Sequence, residues 1–162
     1  TRGGELWQSV KDAGASYGIR PGAPNDLERI ESGLVSYGAD GRLQTNPCNP
    51  FEISLGKLVD FDKGDFVGKA ALLRIQAEGV KRQRVGFAIA GAPILHCGES
   101  VEVTDAEGQR VGILSETVYS PGLKANIGVG MIATALAKGP QELRAVINGE
   151  TRSLEIRPLP FA

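Results

Sequence analysis

Lys81-Arg82-Gln83-Arg84-Val85-Gly86-Phe87-Ala88-Ile89 is where the chain changes its period. Upstream, apolar residues recur at helical spacing: Leu6, Val10 and Ala13, then Leu27, Ile30 and Leu34, then Phe66, Ala70, Leu73 and Ala77. From Val85 onward they recur at every second position, as in Val85/Phe87/Ile89, Val101/Val103, Val111/Ile113 and Ile127/Val129/Met131, the mark of strands with one buried face. The switch predicts an α+β chain in two parts. Residues 1–79 are mixed, and residues 80–162 form a small antiparallel β-barrel or sandwich of about six strands.

Working outward, the spacing predicts helices near 5–13, 25–33 and 65–78. Trp7 lies beside the stripe of the first. Asn25, three residues before Glu28, resembles a capping box at the start of the second, and Gly33 sits near its end. Asp65 is placed to cap the third and Gly79 to stop it. Tyr17 to Gly22 is broken by Gly and Pro and predicts an extended segment, because the residue before proline is pushed out of the helical region. Gly38 to Pro50 reads as an irregular loop and Phe51 to Phe61 as a strand. In the second part, Asp105-Ala106-Glu107-Gly108, Ser120-Pro121-Gly122 and Asn148-Gly149 are turn signals, the last a hairpin.

Composition narrows the function. Of 162 residues, 18 are Lys or Arg and 19 Asp or Glu, a net charge of -1 that offers no field to gather nucleic acid or anionic lipid. Uncharged stretches such as Ala125–Ala137 fall well short of the ~20 residues a membrane span needs. One His and two Cys, without a CxxC or HxxxH spacing, argue against a metal centre and fit a reducing, cytoplasmic setting. The 22 glycines, about twice the usual ~7%, imply many turns or bulges. The opening Thr1-Arg2-Gly3-Gly4, without methionine, reads as the start of a fragment.

No nucleophile and base stand at a legible spacing, and no glycine-rich phosphate cradle occurs. His96 and Cys97 adjoin in a turn, where local satisfaction explains the histidine. The densest polar cluster is Arg20 to Glu31, in which a proline-rich turn delivers Asn25 and Asp26 to a helix start. Such a start favours an anionic group, and Asn25 offers both donor and acceptor. Equally, Asn25 and Asp26 can do no more than cap the helix, with Glu28, Arg29 and Glu31 as its solvated face. Tyr37 and Lys57 have comparable plain readings, at a core edge and on the surface.

Four ordered blocks then carry a likeness: Tyr17-Gly18-Ile19-Arg20-Pro21-Gly22; Glu28-Arg29-Ile30-Glu31-Ser32-Gly33-Leu34 with Tyr37-Gly38; Asn49-Pro50-Phe51-Glu52 with Leu55-Gly56; and Asp65-Phe66-Val67-Gly68-Lys69-Ala70-Ala71-Leu72. Together with Arg84-Val85-Gly86-Phe87, Ser120-Pro121-Gly122-Leu123-Lys124 and Leu159-Pro160-Phe161, they resemble the glycine cleavage T-protein (aminomethyltransferase) superfamily. The resemblance implies the C-terminal piece of the folate-binding α/β domains over 1–79, followed by the family's C-terminal barrel over 80–162.

It also implies tetrahydrofolate as cofactor, accepting a one-carbon group at N5 from a small-molecule methyl or aminomethyl donor. The catalytic carboxylate is expected upstream, in an N-terminal half of the same polypeptide, so the fragment alone is expected to be inactive. Asn25, Tyr37 and Lys57 are the expected cofactor-binding residues. Two departures separate the chain from aminomethyltransferases: Asn25 stands where an arginine is usual, and Lys57 where a tryptophan often follows Leu-Gly. Both look more like the dimethylsulfoniopropionate demethylase branch. The folate domain of a dimethylglycine or sarcosine dehydrogenase flavoprotein, and a non-catalytic module of the same fold, are the alternatives.

Overall fold

The computed structural model describes residues 2–22, 25–36, 38, 47–95, 99–138 and 141–161. Three α-helices, α1 (Gly3–Gly14), α2 (Asp26–Glu31) and α3 (Lys69–Glu78), precede six strands: β1 (Arg82–Ile89), β2 (Val101–Thr104), β3 (Arg110–Ser120), β4 (Ala125–Ala133), β5 (Leu143–Ile147) and β6 (Glu150–Arg157). The strands form a closed antiparallel barrel in the order β1-β4-β3-β2-β5-β6, sealed where Gly86 to Ile89 pair with Arg157 to Leu154. Among the described residues, closure leaves each strand of the barrel with a partner on both sides. The period-2 expectation is met, and Asn148-Gly149 forms the β5–β6 turn with both residues at positive φ.

The barrel lumen is filled by Val85, Phe87 and Ile89 of β1 with Val103, Leu114, Ile132, Leu143, Ala145, Ile147 and Leu154, and Ile94 joins this cluster from the β1–β2 connection. A buried Asn126 ties that connection down: its amide nitrogen donates to Ala92 O at 3.0 Å and Gly91 O at 3.1 Å, and its oxygen accepts from Ile94 N at 2.7 Å. A second apolar cluster lies outside the lumen. There Val118 of β3 and Ile127 and Val129 of β4 pack against Ile30 of α2, with Leu27, Leu159 and Phe161 around them.

The expectation of half-buried strands therefore needs correction at β4, where every residue from Asn126 to Ile132 is buried. The row Ile127/Val129, read from sequence as the core face, faces α2 and the C-terminal segment, while Ile132 faces the lumen. Small residues make this two-sided packing possible. A Cβ on Gly130 would stand 2.1 Å from the Ile113 carbonyl oxygen and 2.9 Å from Leu114 Cα, so β3 and β4 approach there without room for any side chain.

Other expectations shift. The helix expected near 65–78 begins at Lys69, with Gly68 (φ 93°) rather than Asp65 at its N-cap. The cause is a tight turn whose Lys69 N donates to Phe66 O, while the Lys69 ammonium holds Phe61 O at 2.6 Å and Gly64 O at 2.8 Å. Its end at Gly79 is as expected. Phe51–Phe61 is not a strand. Asn49 Oδ1 accepts from Phe51 N and Glu52 N, which draws the amides a strand would need into a turn, and a 3₁₀ turn follows at Gly56–Leu58. Tyr17 closes a 3₁₀ turn, Ala15–Tyr17, so the extended run is shorter than the expected 17–22. The helix near 25–33 is confined to Asp26–Glu31, and that near 5–13 lengthens to Gly3–Gly14 with Leu6, Trp7 and Val10 exposed.

The β3–β4 approach gives a direct check. Gly130→Ala should lower stability by about 2–3 kcal/mol, a fall in Tm of roughly 5–10 °C. Gly4→Ala, whose new Cβ meets nothing within 4 Å, should leave Tm unchanged or raise it slightly. Equal melting curves for Gly130→Ala and the parent would contradict the close strand approach.

Candidate functional site

Asn25 adopts an extended backbone (φ -130°, ψ 163°) and its Oδ1 accepts from Glu28 N at 2.8 Å, capping α2. The capping expectation thus holds, and it uses only the oxygen. Among the described residues the Asn25 amide nitrogen has no partner, and Asn25 borders a cavity of about 550 Å³ whose wall includes Asp26, Arg29, Leu34, Val35 and Ser36. One side chain therefore serves the helix with its acceptor and leaves a two-proton donor at the cavity.

The wall is fixed at its far end by an arginine from the barrel. Gly33 (φ 66°) reverses the chain after α2, and Leu34 N returns to Arg29 O at 3.0 Å. The guanidinium of the buried Arg84, on β1, donates to Gly33 O at 2.8 Å and Leu34 O at 3.1 Å. These carbonyls at a helix C-terminus attract a cation. Arg84 N in turn donates to Glu52 O at 2.7 Å, and the Glu52 carboxylate pairs with Arg82 Nε at 2.9 Å and accepts from Asn49 N at 3.0 Å. The Asn49-Pro50-Phe51-Glu52 block thereby holds the strand that holds the wall.

Arg29 contacts Glu116 of β3 and lies 3.7 Å from Asp26, while Glu31 accepts a short hydrogen bond from Ser120 Oγ. The C-terminal segment joins them through Phe161 N, which donates to Glu31 O at 2.9 Å. With an amide donor, a paired arginine and the apolar Leu34 and Val35, the wall is suited to binding one face of a ligand.

Of the residues expected at a cofactor site, Asn25 lies on this cavity. Lys57 is exposed on the 3₁₀ turn Gly56–Leu58 and is not part of the cavity wall. Tyr37 lies outside the described residues, next to Ser36 of the wall, and so do His96 and Cys97. Sequence reasoning missed Arg84 and Glu116 as supports of the site. Arg84 lies in the stretch where the period changes, with no signal of a distant partner, and nothing in the alternation of β3 announces that Glu116 turns toward α2. Among the described residues no three His, Cys, Asp or Glu side chains gather as a metal site, and no helix is long and apolar enough to cross a membrane.

Comparison with known proteins gives consistent findings. The glycine cleavage T-protein C-terminal barrel domain matches residues 82–162. An aminomethyltransferase of Caldanaerobacter subterraneus is 35% identical over 147 residues, covering 90% of this chain and 38% of the relative. A dimethylsulfoniopropionate demethylase of Ruegeria pomeroyi is 36% identical over 127 residues, covering 78% of this chain and 33% of the relative. The crystal structure of glycine cleavage system aminomethyltransferase T from Bartonella henselae superposes with a TM-score of 0.72 at 25% identity, covering 85% of this chain and 37% of that one. The chain thus spans about two fifths or less of the length of these proteins.

Removing the Arg84 guanidinium should loosen the wall. Arg84→Met leaves two carbonyls without their charged donor and should cost about 1.5–3 kcal/mol, seen as a lower Tm; an unchanged Tm would show that Gly33 and Leu34 do not depend on it.

Proposed function

The chain belongs to the glycine cleavage T-protein family, and from that premise we propose that it works as part of a cytoplasmic, tetrahydrofolate-dependent one-carbon transferase of the demethylase-like kind, whose donor is a methylated sulfonium compound. In this reading residues 1–79 contribute one wall of the folate cavity and residues 80–162 the barrel behind it, with the rest of a longer polypeptide supplying the catalytic carboxylate. The observation that carries the reading is Asn25: it stands where the resemblance puts a folate contact, and its amide nitrogen is left for a ligand.

The residues present fit such a cofactor. A volume of about 550 Å³ is within the range of small-molecule sites, and the wall combines an apolar surface at Leu34 and Val35 with the Asn25 donor at its rim. Bound tetrahydrofolate supplies N5 as the acceptor of the one-carbon group. Asn25 would donate to a ligand oxygen, Leu34 and Val35 would exclude water from its face, Tyr37, next to Ser36 in sequence, would complete the contacts, and Lys57 would meet the ligand from outside this wall. Because a sulfonium carbon is already activated, orientation carries much of the reaction: the donor sulfur keeps the C–S bonding pair and departs as a neutral thioether, the proton displaced at the accepting nitrogen passes to solvent, and well-oriented reactants can gain on the order of 7–11 kcal/mol. The demethylase branch is favoured over the aminomethyltransferases by the exchange of arginine for Asn25, which removes a fixed cation.

The full-length protein should transfer a methyl group from dimethylsulfoniopropionate to tetrahydrofolate. Turnover only with an aminomethyl donor would return it to the glycine cleavage reaction, and no saturable folate binding would leave a non-catalytic module. The 162 residues alone should bind tetrahydrofolate more weakly than micromolar by calorimetry, since one wall is all they hold. In the full-length protein Asn25→Asp retains the cap acceptor but loses the donor. It should raise the folate Kd about tenfold, or about 1.4 kcal/mol, with Tm nearly unchanged; equal affinity would reduce Asn25 to a helix cap.

A further inference from the structure

Between Leu114 and Glu116 the pairing of β3 with β4 slips: Leu114 lies opposite Gly130, but Glu116 lies opposite Val129, so Ser115 is an extra residue. In a regular strand Leu114 and Glu116 would share a face, and Leu114 points into the lumen. The bulge turns the following residues over. Glu116, Val118 and Ser120 then share the outer face and meet three consecutive residues of α2: Glu116 contacts Arg29, Val118 packs in the cluster of Ile30, and Ser120 bonds Glu31.

Arg29 is the one of these three α2 residues that borders the cavity. Its side chain is 17% exposed and that of Glu116 is 13%, so the pair is largely withdrawn from water. Taking away Glu116 removes the partner that holds the guanidinium against the barrel, while Asp26, 3.7 Å away and itself on the cavity wall, remains to draw it toward the cavity.

We infer that Glu116 is a positioning residue of the binding site, which acts through Arg29 to hold the cavity wall in its binding geometry. The inference rests on the folate reading for its binding readout but not for its structural one. Withdrawn against Glu116, the Arg29 guanidinium leaves the cavity open beside Asn25 and keeps α2 in register with β3.

The test uses the full-length protein in two measurements. In hydrogen exchange without ligand, Glu116→Gln should speed exchange of the Gly33 and Leu34 amides at least tenfold relative to wild type; unchanged protection overturns the inference whatever the protein binds. In folate titration, Glu116→Gln and Arg29→Gln should each raise the tetrahydrofolate Kd about tenfold, and the double variant should be no worse than Arg29→Gln alone. Additive losses would mean that Glu116 does not act through Arg29, and a lowered Tm with unchanged Kd would make the pair merely structural. Should Glu116→Gln not fold, Glu116→Asp, which keeps the charge on a shorter stem, is measured the same way and should show smaller shifts in the same direction; wild-type values throughout would overturn the inference. Wild-type protein that binds no tetrahydrofolate would defeat the folate reading, while the exchange measurement would still decide the role of Glu116.

Discussion

Ile30 is entirely buried, and the position of the cavity wall follows from it. Helix α2 has six residues, too few to be stable alone, since isolated helices below about 12–15 residues are marginal in water. It exists because the outer faces of β3 and β4 present Val118, Ile127 and Val129, which must be covered, and Ile30 fills the place between them. Full burial of such a side chain stabilises by about 1.5–3 kcal/mol. The polar contacts on either side, Arg29 with Glu116 and Glu31 with Ser120, add orientation to that apolar anchor.

The barrel is thus a platform with two working faces. Its lumen is conventional, filled by alternate residues of the strands, and the second face gives a short helix the support it lacks in itself. Arg84 illustrates the division: it leaves β1 beside the lumen residue Val85 and closes the carbonyls of Gly33 and Leu34, so the strand that seals the barrel also sets the wall. The family match covers the barrel, and the likeness to aminomethyltransferases and a demethylase extends across most of the upstream residues.

Much of this was legible in the residues, and the failures have physical causes. The change of period at Arg82 located the first strand because alternation is local, and Asn25 was legible as a cap because its partner is three residues away. Which face of β4 was which was not legible, because Ile127 and Val129 alternate with glycine and nothing local says that both faces are covered. The bulge at Ser115 was equally hidden, since one small residue in a strand gives no sign that it has lost its opposite number. Phe51–Phe61 misled for the opposite reason: its aromatic residues have strand propensity, yet Asn49 had already claimed the first amides for a turn. Of the site, Asn25 was found; Arg84 and Glu116 act across long separations and left no pattern near the residues they hold.

The reach of those contacts bears on how the protein is made. Glu31 meets Ser120, 89 positions later, and Phe161 beyond it. At about 5–20 residues per second, a ribosome needs several seconds to move from the helix to its first strand partner, and longer to reach the segment that completes the contact. Throughout that interval Leu27 and Ile30 have no barrel to cover them, so α2 is left waiting with its apolar face open to whatever hydrophobic surface the cell offers. The wall of the cavity is among the earlier parts of this stretch to be synthesised and among the last to mature.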